Sequence, residues 1–470
     1  MIKKILLLIL LAYLPMIASA QSKPLKAKLL GTWGDTTIVS SFYNAYNEIW
    51  GLAVKGKEYG VIGSTEGTHI VDINTLPYKE LYRIKGGQQG TSVIHRDYDE
   101  YKGYLYAVCD EGASGLQIMD IRNLPQSAPV VYDSDSLFTT CHNTFVDTLA
   151  GKLYACGIFD TKDKLSRGLA VYDIKSNPAN PKLLWNNGTI GNFKISYVHD
   201  CYVVRDTAYL NCGYQGLVVA SFKDPANPVL LGTLTTYKNQ GYNHSCYLTE
   251  DSKHLVMCDE THGSPVKLVS VAKLDDIQVV SEFSAESSAT QIVHNPIVRG
   301  KYNYSSYYFD GLTVHDISNA KAPKLAMHYD ECSIPDAKSY AGAWGVYPLL
   351  PSKRILLSDM QKGIYVLEGI EKTIATATNE LTESNINIQL FPQPADAVLN
   401  VDIQNSGENE NLTPTIIDLQ GKIIKTFLIT NINNGRQTLS LDTADVPIGL
   451  YVLQLKGSEI NLVRKVLIVR

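Results

Sequence analysis

The segment GLAVYDI (168–174) decides the fold, because the chain repeats it. Close copies read GTHIVDI (67–73), GLQIMDI (115–121), GLVVASF (216–222), GLTVHDI (311–317) and GIYVLEG (363–369), with a degenerate copy, PVKLVSV, at 265–271. They start at residues 67, 115, 168, 216, 265, 311 and 363, so they stand 46 to 53 residues apart. β-Branched residues after a glycine-rich turn mark each copy as a buried strand.

The flanks repeat as well. Another strand precedes each copy: YGVIGS (59–64), YLYAVCD (104–110), KLYACG (152–157), AYLNCG (208–213), HLVMCDE (254–260), YSSYYF (304–309) and RILLSD (354–359). A proline-containing turn and a further strand follow most copies, as in NPANPKLLW (177–185). In five units the leading strand opens on a histidine: VIHRDYDE (93–100), TCHNTFVD (140–147), YVHDCYVV (197–204), YNHSCYLT (242–249) and IVHNPIVR (292–299). Four antiparallel strands in about fifty residues make one propeller blade, and seven such units make a closed ring. The expected fold is all-β: a seven-bladed β-propeller over residues 21–370, followed by a small C-terminal β-sandwich. The segment KAKLLGTW (26–33) reads as an outer strand that precedes the first inner strand, EIWGLAV (48–54). The last unit lacks an outer strand, so the N-terminal segment is expected to complete it and remove the open edge.

The first twenty residues, MIKKILLLILLAYLPMIASA, combine two lysines, an apolar run and a small-residue cleavage site, the pattern of a secretory signal peptide. No other stretch is apolar enough to span a bilayer, so no transmembrane anchor is expected in the mature chain. A formal charge of −5 without a basic run argues against nucleic acid as a partner. Eight cysteines in an exported chain permit disulfides. Cys201 and Cys246 lie two residues past a recurrent histidine, and Cys212 and Cys258 end the following strand, so Cys201–Cys212 and Cys246–Cys258 are the expected pairs. Buried free thiols are the alternative. No CxxC spacing supports a metal–thiolate cluster.

Composition changes at EKTIATATNELTESN (371–385), which reads as a linker. Beyond it, Pro392-Gln393-Pro394-Ala395, Ile417-Asp418-Leu419-Gln420-Gly421-Lys422, Pro447-Ile448-Gly449-Leu450-Tyr451 and the final basic strand Arg464–Arg470 resemble the type IX secretion sorting domain over residues 386–470. Asparagine is usual where Gln393 stands. The resemblance implies export through the periplasm by the type IX machinery as partner, to the medium or the outer cell surface. The repeats, with Asn47-Glu48-Ile49-Trp50-Gly51, Cys141-His142-Asn143, Tyr197-Val198-His199-Asp200 and Tyr242-Asn243-His244, resemble the choice-of-anchor B family, whose repeats are of the LVIVD type. That resemblance implies an exported propeller and assigns no activity.

Function therefore rests on the histidines. In a propeller the first strand of each blade lines the channel, and its start lies beside the end of the second strand. His95, His142, His199, His244 and His294 are expected to form a partial ring at one channel mouth, with Trp50 and Trp344 in the matching places of blades one and seven. Asp110, Glu111, Asp259 and Glu260 end second strands there, Glu66, Asp310 and Asp359 do so in other blades, and Asp200 follows His199 directly. Converging neutral imidazoles suit iron, copper or zinc, with carboxylates orienting or completing the shell. The competing role is structural, each histidine bonding a carboxylate of its own blade. Blades three and four end their second strands in Cys-Gly and lack that acid, which favours a ligand or protein partner bound at the mouth. An extracellular metalloenzyme using the same ring is the alternative, and no GxSxG, HExxH or phosphate loop offers other chemistry.

Overall fold

The computed structural model describes residues 24–160, 165–285, 291–334, 339–374, 386–405, 409–418, 422–457 and 461–470. The signal peptide expected at 1–20 lies outside these residues, as does most of the linker expected at 371–385; residues 370–374 form a short helical turn.

Among the described residues, seven antiparallel sheets of four blade strands follow one another along the chain. In blade four the strands are Asp200–Val204, Thr207–Asn211, Leu217–Ser221 and Val229–Leu234, paired in that order. The first strand of each sheet contacts the first strand of the next, and Ala343–Tyr347 of the last returns to Tyr46–Val54 of the first, which closes the ring. This is the architecture of a β-propeller.

The repeated motif is the third strand, and two features explain its sequence. Its leading glycine adopts positive φ in five blades and touches the carbonyl of the outermost strand. A Cβ on Gly216 (φ 81) would lie 2.4 Å from Leu234 O, and one on Gly311 (φ 69) would lie 2.2 Å from Tyr329 O, so no larger residue fits. A register shift between third and fourth strands also recurs in every blade, as at Ile70/Val71, Val219/Ala220 and Val314/His315. A bulge at one repeated place adds the local twist a tilted blade needs. The apolar residues of these strands pack between neighbouring blades; Tyr154, Cys156, Leu169 and Val171 of blade three meet Cys201, Val203, Leu210 and Val218 of blade four.

The closure is as the sequence indicates: Leu29–Trp33 pairs antiparallel with Gly363–Leu367 as the outer strand of blade seven. A second tie was not anticipated. Leu25–Lys26 pairs in parallel with Met327 and His328 on the outer strand of blade six.

Both disulfide expectations are corrected: all eight cysteines are free thiols. Cys201 faces Leu210 across its hairpin, so Cys212 stands two positions further along. Cys246 faces Met257 while Cys258 faces Ser245, which puts those two side chains on opposite faces of the sheet. The nearest thiol contact runs between blades, Cys156 Sγ to Cys201 Sγ at 3.5 Å.

The C-terminal strands form two sheets with a core of their own. Ile386–Phe391, Val398–Asn405 and Gly435–Asp442 make one, and Glu410–Ile417, Ile423–Thr426, Gly449–Lys456 and Asn461–Ile468 are the main strands of the other. Their inner faces share Leu399, Val401, Leu412, Ile416, Leu453 and Val466.

Candidate functional site: a histidine collar in the channel

The five histidines come together. Ring centroids run His95–His142 at 5.1 Å, His142–His199 at 4.2 Å, His199–His244 at 4.1 Å and His244–His294 at 4.5 Å. Trp344 completes the cycle, 4.8 Å from His294 and 5.4 Å from His95. Five imidazoles and one indole thus form a closed collar. Trp50 is not part of it. The residue three places past each histidine aligns with Trp50, which stacks on Tyr347 at 4.9 Å lower in the channel. Asn47 stands at the histidine position of blade one, where its Nδ2 donates to Ile94 O at 2.8 Å.

The collar is held mostly between blades, against the blade-internal lock considered from sequence. His199 Nδ1–H donates to His244 O (3.2 Å) and His294 Nδ1–H donates to Trp344 O (2.7 Å), each on the next blade. His142 Nδ1–H donates to Asp110 Oδ2 of the preceding blade at 3.0 Å. His95 does bond its own blade, through Glu111 Oε1 at 2.7 Å. These four bonds fix the proton on Nδ1 and leave Nε2 as a lone-pair donor, the tautomer control that metal-binding histidines use. His244 differs: its Nδ1 is buried without a partner, and its Nε2 lies 3.7 Å from Glu260 Oε2.

Burial, then the neighbouring imidazoles, hold His199 and His244 well below the ordinary histidine pKa. Burial likewise lowers His294 to about 3. These rings are neutral bases at physiological pH. Burial raises Glu260 to about 7, although Tyr308 OH donates to it at 2.7 Å. Two groups of ligand atoms lie within 4.8 Å of one another: His95, Asp110 and His142, and His199, His244 and Glu260. Each is a pair of imidazoles with one carboxylate, a donor set that suits zinc or non-haem iron.

The remaining carboxylates go elsewhere. Asp259 is fully buried against Lys267 Nζ at 3.0 Å and also accepts from Tyr237 OH and Gly241 N, so it is structural. Glu66 pairs with Arg83, and Asp359 caps the turn at Gln361 and Lys362. Asp200 lines the channel below the collar rather than the collar itself.

Sequence reasoning missed the aromatic rim. Tyr242 stands 5.4 Å from His199 and Tyr308 stands 5.1 Å from His294; exposed Tyr214 and Tyr340 stack on them at 5.1 and 4.9 Å. The signal was present in part, since a tyrosine precedes His199 and His244 by two residues. A Ser64–His69–Glu80 relay in blade one has the spacing of a catalytic triad, with both bonds at 2.6 Å. Ser64 and His69 are wholly buried, so this relay ties three strands together and meets no substrate.

Fold and site define a β-propeller with a histidine collar in its channel. Residues 165–189 and 293–331 match the LVIVD repeat, and residues 389–469 match the secretion system C-terminal sorting domain. The chain therefore carries LVIVD repeats and a type IX sorting domain, which is recognised by the type IX secretion machinery and gives a secreted or cell-surface location. No helix among the described residues is long and apolar enough to cross a membrane. No curated protein matches the chain in sequence. Among solved structures, U3-55K superposes with TM-score 0.50 at 10% identity over 73% of this chain and 98% of its own. The RRP9 WD40 repeats give TM-score 0.50 at 10% identity over 73% and 99%. PorZ, an essential surface component of the type IX secretion system of Porphyromonas gingivalis, gives 0.48 at 10% identity; the alignment covers 93% of this chain and 60% of PorZ. The two likenesses at 0.50 speak to fold alone.

Proposed function

We propose that the protein is an exported propeller that binds a ligand or protein partner at the histidine-lined mouth of its channel. The observation that carries this reading is the closed collar, with its inter-blade hydrogen bonds. Blade-by-blade locks would not require rings at 4.1–4.5 Å from one another across four successive blades. Exposed Tyr214 and Tyr340 add stacking faces where a partner would arrive, and large aromatics are the usual anchors of recognition surfaces.

The test is a binding screen of the full chain against extracellular polysaccharides and peptides, with His142→Ala and Trp50→Ala run beside it. The reading holds if partners of the parent are lost in the collar variant and kept by the Trp50 variant. Partners indifferent to His142 and to Tyr242→Ala would sink it.

The two groups of paired imidazoles and a carboxylate favour a second reading, an extracellular metalloenzyme. Residues His95, Asp110 and His142 would hold one ion and His199, His244 and Glu260 another. Such an ion would supply Lewis acidity or redox chemistry, and the collar hydrogen bonds would orient the rings. Near-stoichiometric zinc or iron in the purified parent, lost in His199→Asn, would move the protein to this class.

A further inference from the structure

Below the collar the same first strands wall a second space, a funnel of about 430 Å³. Its lining contains Glu48, Asp97, Asp99, Glu100, Asp147 and Asp200, and neither lysine nor arginine. Four of these acids have only neutral donors. Glu48 accepts from Ile49 N and Asn295 Nδ2, Asp97 from Thr144 N and Oγ1, Asp99 from Glu100 N and Val146 N, and Asp200 from Cys201 N. None of the four has a cationic partner among the described residues. Burial raises all four, Glu48 to about 8 and Asp97 to about 7, with the other acids of the group adding to the effect on Glu48. Asn295 Oδ1, an acceptor buried without a partner, belongs to a residue that lines both this funnel and the collar.

The wall beside the acids is aromatic. Phe145 stacks on Tyr202 at 5.1 Å, Tyr202 on Tyr247 at 4.6 Å and Trp50 on Tyr347 at 4.9 Å. Exposed Leu149 and Leu349 lie among the lining residues and give the funnel access to solvent.

We propose that this funnel binds a small alkylammonium ion. Buried carboxyls without a counter-charge hold protons until a cation joins them, so a bound cation stabilises their ionised form, and aromatic faces hold an organic cation by its charge and its stem together. A bare metal ion fits poorly. The groups of three ligand atoms close enough to share one ion lie in the collar, and none is formed by the funnel acids among the described residues. Calcium also needs six or more oxygens at about 2.4 Å, whereas this space has the size of an organic ligand. A neutral sugar would stack on the aromatics and leave the acids unpaired. The alkylammonium has two sources, a free amine or a lysine side chain presented by a peptide.

The experiment is calorimetric titration of the full chain with four probes: pentylammonium, N-acetyl-lysine methylamide, 1-pentanol and calcium chloride. Saturable 1:1 binding of one or both ammonium probes, with pentanol at least tenfold weaker, is the expected result; the stronger ammonium identifies the source. Asp200→Asn and Glu48→Gln, which keep the side-chain shape, each weaken that binding at least tenfold, as does Trp50→Ala. His142→Ala leaves it unchanged, which separates this site from the collar. Absence of ammonium binding, equal binding of pentanol, binding of calcium alone, or affinity unaffected in variants that melt like the parent would each overturn the proposal.

Discussion

The collar and the funnel are built on the same seven strands, a few residues apart, yet they handle charge in opposite ways. The collar gathers bases: burial and the neighbouring imidazoles keep His199, His244 and His294 neutral, while a fixed acceptor for Nδ1–H sets the tautomer of His199 and His294. The funnel gathers acids, and burial together with their mutual repulsion drives them toward the protonated form. A group of either kind resists its charged state in low dielectric, so both ends of the channel store a preference for the neutral form. The difference lies in what relieves it. A metal or a polar partner satisfies a lone pair at the collar, whereas the funnel acids are satisfied by a held proton or by a bound cation.

The comparison is sharpest against Asp259, a fully buried acid that already has its cation. Lys267→Met leaves Asp259 buried without its counter-charge, and an expected loss of about 3–5 kcal/mol of stability is readable by denaturant titration at pH 7. Unpaired Glu48 should behave in the opposite sense. Its pKa is raised in the fold, so its contribution to stability is fully present below about 4.5 and is lost as pH rises through about 8. Glu48→Gln should therefore gain on the order of 3 kcal/mol over the parent at pH 8 and nothing at pH 4, measured as the change in melting temperature across that range. If Glu48→Gln destabilises at both pH values, Glu48 has a cation and the contrast collapses.

The collar gives the reverse slope. His294 is depressed to about 3, so its contribution is present above the unfolded value near 6.5 and is lost as pH falls toward 3. His294→Asn keeps a donor for Trp344 O and should flatten the acid limb, a relative gain of about 2 kcal/mol at pH 5. The smallest effect belongs to the collar's half-exposed flank. Asp110→Asn disturbs a partly solvated pair with His142 and should change stability by less than about 1 kcal/mol, while altering any metal or ligand affinity more strongly.

Much of this architecture was readable from the chain. The repeat starts, the strand that closes blade seven and the convergence of the five histidines follow from spacing and strand direction alone. Trp50 was misplaced because blade one has no histidine to anchor its register, and an aromatic beside glycine resembled the Trp344-Gly345 of blade seven. The funnel was missed for a different reason. Asp97 and Asp99 alternate along RDYDEY (96–101), and alternation reads as a solvated strand face until the fold shows that this face is buried beside blade three. The strand parity was visible, since His95, Asp97 and Asp99 share one side. The cysteine pairs failed on register, which a sequence without cross-strand contacts does not fix to one residue.

The double tie at the N-terminus has a consequence for how the protein leaves the cell. Trp33 waits for Ile364, and Leu25 waits for Met327, so the first strands to emerge during synthesis are the last to find partners. A truncated chain keeps an open edge, a surface that invites aggregation or cleavage. The sorting domain at 389–469 lies beyond every residue needed for closure. A chain that presents its address has therefore already been made long enough to seal its ring, and the order of segments acts as an inspection before dispatch.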